Sequence, residues 1–202
     1  MTLEPLWGIV CPGPTLRDPK TQELVRADAP VRLAAVNGAI LAPQYPFDFW
    51  VVSDTEVFET CLGQGLYIRQ DVLLLCPSRW EVELAGMHAM NKPYQAFRRQ
   101  HHPTETNADF RMTLSLRSYP EEINWRESTV LMAIGLLISR GARRINLYAA
   151  DMAGQGYFRP GLDNSRTIHT PKRWEREVQQ LALVTARAAD NGIQITRRQL
   201  LS

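Results

Sequence analysis

Residues 128–152 read STVLMAIGLLISRGARRINLYAADM, and the fold follows from their pattern. Val130 to Ile138 is apolar nearly all round, and Gly141 stands just beyond it as a stop. That predicts a helix over residues 127–140 that is buried on every side, since a surface helix would keep one polar face. The pattern then changes to a short apolar run, Ile145 to Ala150, ending in Asp151. This predicts a strand over residues 144–150 with both faces covered. A buried helix feeding a fully buried strand is the building unit of a parallel α/β sheet.

Working outward, similar short runs predict strands over residues 7–11, 31–36, 47–52, 72–76 and 193–196. A last helix is expected over residues 171–191, with Thr170 as N-cap, Pro171 at its first position and Gly192 as its stop. Trp174, Val178, Leu181 and Ala188 recur at helical spacing and are expected to form its packing face. The chain therefore closes as a strand–helix–strand unit with a right-handed crossover. The expected fold is α/β, a Rossmann-like three-layer sandwich with a mostly parallel sheet, in one domain spanning residues 1–202. Residues 86–119 interrupt it. They contain Met90-Asn91-Lys92-Pro93 and Arg98-Arg99-Gln100-His101-His102-Pro103 with few β-branched residues, and read as an irregular, lid-like excursion.

With 202 residues, 45% hydrophobic and 22% charged, the chain has the composition of one globular domain rather than a disordered or fibrous protein. A net charge of +2 gives no general electrostatic drive toward nucleic acid or a membrane surface. Cys11, Cys61 and Cys76 are odd in number and far apart, so neither a disulfide framework nor a CxxC metal site is expected. No run of eighteen apolar residues suggests a spanning segment, and a cytoplasmic protein is expected. His101 and His102 lack companion ligands at metal-binding spacing, so no metal site is predicted.

Candidate chemistry collects where strands end. Cys11-Pro12-Gly13-Pro14-Thr15 follows the first strand, at the sheet edge where open α/β folds bind ligands. Gly13 permits close approach to the backbone, and Thr15 offers an N–H and a hydroxyl to phosphate oxygens. Asn37-Gly38 and Ser53-Asp54 end the second and third strands, and Asp151 ends the strand after the buried helix. Beyond lie Gly154, Gly156 and Tyr157, then Arg166, His169 and Arg173 around the start of the last helix, where an anion is favoured. His169 suits a general base. Each residue also has an ordinary structural reading as a turn, a cap or a surface side chain.

Assembled, these residues resemble the bacterial lipooligosaccharide sialyltransferase family, and more broadly the hydroxymethylpterin-pyrophosphokinase-like and motility-accessory-factor-like domains. Gly13-Pro14-Thr15-Leu16 is similar to the family's Gly-Pro-Ser-Leu turn, and Asn37 to the asparagine that ends its second strand; both hold nucleotide there. Residues 128–157 resemble the family's Ser-Gly-Val-led helix, glycine, strand and aspartate, with Thr129 in place of the glycine. The resemblance matches Tyr157 to a loop tyrosine on the donor phosphate and His169 to the general base before the last helix. Cys11-Pro12 stands where the family has Gly-Asn, which points to a donor other than CMP-sialic acid. Compact, phage-encoded members are also implied, with a glycan or a modified nucleobase as acceptor.

The resemblance implies a nucleotide-dependent, metal-independent glycosyltransferase using a nucleotide-sugar, with a homo-oligomeric state and no cofactor. Gly13, Pro14, Thr15, Asn37, Ser128 and Thr129 would hold the nucleotide, while Asp54 and Asp151 orient the transferred group. Tyr157 and Arg166 would stabilise the departing phosphate, and His169 would deprotonate the acceptor. Two alternatives stay open: an ATP-dependent pyrophosphokinase-like enzyme, with magnesium on Asp54 and Asp151, and a non-catalytic protein that binds or sequesters nucleotides.

Overall fold

The computed structural model describes residues 4–63, 72–75, 104–105, 128–152 and 171–199. The chain begins with strand β1 (Leu6–Val10), a 3-10 turn (Pro14–Arg17), helix α1 (Pro19–Asp28) and strand β2 (Arg32–Val36). A second 3-10 turn (Asn37–Leu41), β3 (Phe49–Val51), α2 (Thr55–Gly63), β4 (Leu73–Leu75) and the two-residue β5 (Thr104–Glu105) follow. The remainder is α3 (Thr129–Ser139), β6 (Arg144–Tyr148), α4 (Pro171–Asp190) and β7 (Gln194–Arg198).

The strands form one open sheet in the order β5-β4-β3-β2-β1-β6-β7. Every pair in it is parallel, where a mostly parallel sheet was expected. Strand β1 pairs with β2 on one side and β6 on the other, so the order of the chain through the sheet reverses there.

Alternation of side chains along the strands supplies two apolar clusters, one on each face. Val10, Leu33, Ala35, Trp50, Leu74 and Tyr148 pack with Val25 of α1, with Ala39 to Leu41, and with Val57, Phe58 and Cys61 of α2. Ile9, Ala34, Val36, Val51, Ile145, Leu147 and Ile195 pack with α3 and with Leu181, Val184 and Ala188 of α4. Helix α3 is the all-round apolar segment expected, with every residue from Leu131 to Leu137 buried.

Helices α3 and α4 end in the same way. Gly141 (φ 91°) and Gly192 (φ 69°) adopt left-handed backbone. Gly141 N donates to Ile138 O and Ala142 N to Leu137 O; Gly192 N donates to Ala189 O and Ile193 N to Ala188 O. These are paired Schellman bonds, which satisfy the last helical carbonyls and turn the chain straight into the next strand. At the start of α1, Asp18 accepts from Lys20 N at 2.9 Å with Pro19 at the first helical position.

Several expectations shift. The strands are shorter or displaced at their ends: Val31 is 59% exposed and precedes β2, while β7 continues through Arg197 and Arg198. Val178 is 42% exposed and lies off the packing face of α4, whose buried stripe is Glu177, Leu181, Val184 and Ala188. Glu177 is held there by Arg173 Nε at 3.0 Å. Residues 104–105 form a strand inside the segment read as an irregular excursion; the rest of 86–119 lies outside the described residues. Among the described residues no helix is long and apolar enough to cross a membrane.

Beside α1, β6 and β7 carry polar side chains toward the first cluster, and one carboxylate satisfies them. Asp28 accepts from Asn146 Nδ2 (2.7 Å), Tyr148 Oη (2.9 Å), and Arg198 Nε and Nη2 (3.0 Å each). A half-buried ionic cluster is tolerated because each group has a partner.

The orientation of α4 is testable by truncation. Leu181→Ala should cost about 2–5 kcal/mol and Val178→Ala under about 0.5 kcal/mol in urea unfolding; equal effects would contradict the observed face.

Candidate functional site

The C-terminal edge of the sheet gathers the polar residues that the core excludes. Pairing between the β1 and β6 segments runs past the strands themselves, with Cys11 N on Tyr148 O at 2.9 Å and Gly13 N on Ala149 O at 3.2 Å. Thr15 N–H then donates to Asp151 Oδ2 at 2.9 Å, and Thr15 Oγ–H to Asp151 Oδ1 at 2.6 Å. Thr15 O accepts from Thr21 Oγ1 at 2.7 Å, tying the turn to α1.

Gly13 is needed for this approach. A Cβ there would collide with Ala149 O and the Asp151 carboxylate, so the space left by the missing side chain is taken by Asp151. Thr15's donors, expected to face a ligand, both serve Asp151 in this conformation. Asp151 sits in a bent segment: Ala149 (φ 51°) and Met152 (φ 47°) are non-glycine residues with left-handed backbone. Arg197 Nη2 holds the Asp151 carbonyl at 2.6 Å.

One strand over, Asn37 also has left-handed backbone (φ 48°). Asparagine tolerates that geometry better than most residues. Its carbonyl accepts from Trp50 Nε1 at 2.9 Å, and its buried Oδ1 has no hydrogen-bond partner among the described residues. Asn37-Gly38, read as a turn, opens the second 3-10 segment. At the end of β3, Ser53 Oγ and Thr129 Oγ1 lie 2.7 Å apart, linking that strand to the first residue of α3. Ser128 caps α3 through Leu131 N, and Asp54 accepts from Glu56 N at 2.9 Å at the start of α2.

Gly13, Pro14, Thr15 and Asp151 thus meet at the strand-order reversal, Asn37 closes β2, and Asp54, Ser128 and Thr129 lie at the end of β3 and the starts of α2 and α3. Tyr157, Arg166 and His169, together with Gly154 and Gly156, lie outside the described residues. Of the cationic group, Arg173 is described, and its Nε is on Glu177. Arg197 was missed in the sequence because the last strand was ended at Thr196. Trp50 falls within the run that predicts the third strand, and the bond its indole N–H makes to Asn37 leaves no trace in spacing.

The electrostatics at β1 disfavour a thiolate. Burial, then the negative charge of Asp151, pushes the Cys11 thiol well above its ordinary range, with Arg197 offsetting part of the effect. Cys11 is therefore a buried, protonated side chain rather than a nucleophile. Burial also raises the Tyr148 phenol, with its hydrogen bond to Asp28 acting in the same direction and that to Asn146 opposing it.

Comparison with protein-family models, with curated proteins and with solved structures finds no match to this chain.

Two outcomes follow from this geometry. Gly13→Ala should destabilise the fold by about 1–3 kcal/mol through overpacking against Ala149 and Asp151, read as a lower urea midpoint. Because the folded state raises the Cys11 pKa, its contribution is fully present below the thiol's ordinary value of ~8.5 and is lost as pH rises above it. Stability should fall above that pH, and Cys11→Ala should flatten this alkaline decline; an unchanged pH profile would show that Cys11 does not contribute to it.

Proposed function

We propose that the chain is a nucleotide-dependent transferase, in particular a metal-independent glycosyltransferase that uses a nucleotide-sugar. The observation that carries this reading is the meeting of Gly13, Thr15 and Asp151 where strand order reverses between β1 and β6. In open α/β sheets, that crevice beyond the strand ends is the general place for ligands. The buried Oδ1 of Asn37 at the neighbouring strand end, without a partner among the described residues, supports it, because a buried acceptor is costly until a donor reaches it.

In this reading the fold is the Rossmann-like three-layer sandwich, and the nucleotide lies along the edge from the β1 turn toward Asn37, Ser128 and Thr129. His169 takes a proton from the acceptor as the acceptor atom bonds to the anomeric carbon. The bond from that carbon to the nucleotide phosphate breaks, its electron pair stays on the phosphate, and Tyr157 and Arg166 meet the charge. Asp54 and Asp151 orient the sugar. The acceptor is a glycan or a modified nucleobase, and the enzyme acts in the cytoplasm as a homo-oligomer.

A thermal-shift panel of CMP, CDP, UDP, GDP and ATP derivatives, with and without magnesium, tests the reading. A bound ligand at a hundred times its Kd adds about 2.7 kcal/mol. A flat panel would remove the nucleotide itself, and a magnesium requirement with AMP release would replace the glycosyltransferase by the pyrophosphokinase-like reaction. His169→Ala should lower transfer by a factor of about 10² or more while leaving nucleotide binding unchanged. Unchanged turnover would remove His169 as the base.

A further inference from the structure

The donors of the β1 turn already hold an anion, and it belongs to the chain. Two donors of Thr15 meet the two oxygens of the Asp151 carboxylate at 2.9 and 2.6 Å, a bidentate, charge-assisted contact. The same contact closes the gap between the segments that follow β1 and β6, so tightly that Gly13 has no room for a Cβ. Left-handed backbone at Ala149 and Met152 brackets Asp151, and such conformations persist only where surrounding contacts hold them. The Asp151 main chain has a separate anchor in Arg197, so its carboxylate can rotate away while the backbone stays. On the adjacent strand end, the buried Oδ1 of Asn37 has no donor among the described residues.

We propose that Asp151 is an autoinhibitory latch. Its carboxylate occupies the Thr15 donors that a ligand phosphate would take, and binding exchanges one anion for the other. The identity of that ligand rests on the nucleotide reading above; the latch itself rests on the Thr15–Asp151 contact. Closure lowers the apparent affinity for phosphate by the fraction of molecules that are open. Once displaced, the carboxylate is free to accept from hydroxyls of the group to be transferred.

Inorganic pyrophosphate is the probe, titrated calorimetrically into the wild type, Asp151→Ala, Asp151→Asn and Thr15→Val, with folding of each checked by circular dichroism and melting temperature. Both Asp151 variants should bind pyrophosphate more tightly than the wild type, Asp151→Ala by about tenfold because the closed state is lost and Asp151→Asn by less because its amide oxygen still accepts from Thr15; Thr15→Val should bind it more weakly. Asp151→Asn keeps the shape of the side chain and serves if the alanine variant does not fold. Unchanged or weaker pyrophosphate binding in a folded Asp151 variant overturns the latch. A nucleotide panel that stays flat on every variant while pyrophosphate tightens removes the nucleotide reading and leaves the latch standing.

Discussion

Strand β1 is hydrogen-bonded in parallel to β2 and to β6, and its two faces are buried in separate apolar clusters. Such a strand spends its backbone polar groups on its neighbours and leaves no room for unpaired polar side chains. Polar chemistry is therefore displaced to the ends of the sheet or gathered into closed networks. Both solutions are present. Asp28 absorbs the polar side chains of β6 and β7 on one face, and Thr15, Asn37, Ser53 and Asp151 collect at the C-terminal edge.

The edge also concentrates strain. Asn37, Ala149 and Met152 hold left-handed backbone there without being glycine. Glycine is used instead where the chain must only turn, at Gly141 and Gly192, or where two segments must touch, at Gly13. The division is not complete, since Ala29 (φ 44°) ends α1 in the same left-handed backbone. The other such non-glycine residues among those described, Asn37, Ala149 and Met152, all lie at this edge, where side chains are kept in costly conformations.

Much of the frame was readable from residues alone, and for physical reasons. An apolar run long enough for about two and a half helical turns, closed by Gly141 and followed by a short buried run, has few other solutions than α3 and β6. Strand ends were less readable, since pairing rather than composition ends a strand: Val31 is as apolar as Val36 yet lies outside β2. Helix α4 and its core positions Leu181 and Ala188 were legible, but Val178 was misplaced, because it fits the spacing while the buried position beside it is Glu177, neutralised by Arg173. At the edge, the residue types of the β1 turn and Asp151 were legible, but their mutual contact was not. It joins residues 136 apart in the chain, and no local pattern encodes that pairing.

The same remoteness shapes how the molecule comes together. Strand β2 follows β1 after one short helix, so one edge of the central strand is covered early in synthesis. The other edge waits for Arg144 to Tyr148. Until more than a hundred further residues have been made, β1 presents open N–H and C=O groups beside an apolar surface, the circumstance in which strands mispair with other chains. A late-arriving central partner also makes for high contact order and slow folding. Nascent chains of this protein thus carry an exposed, adhesive seam from the time β1 is made until β6 emerges to cover it.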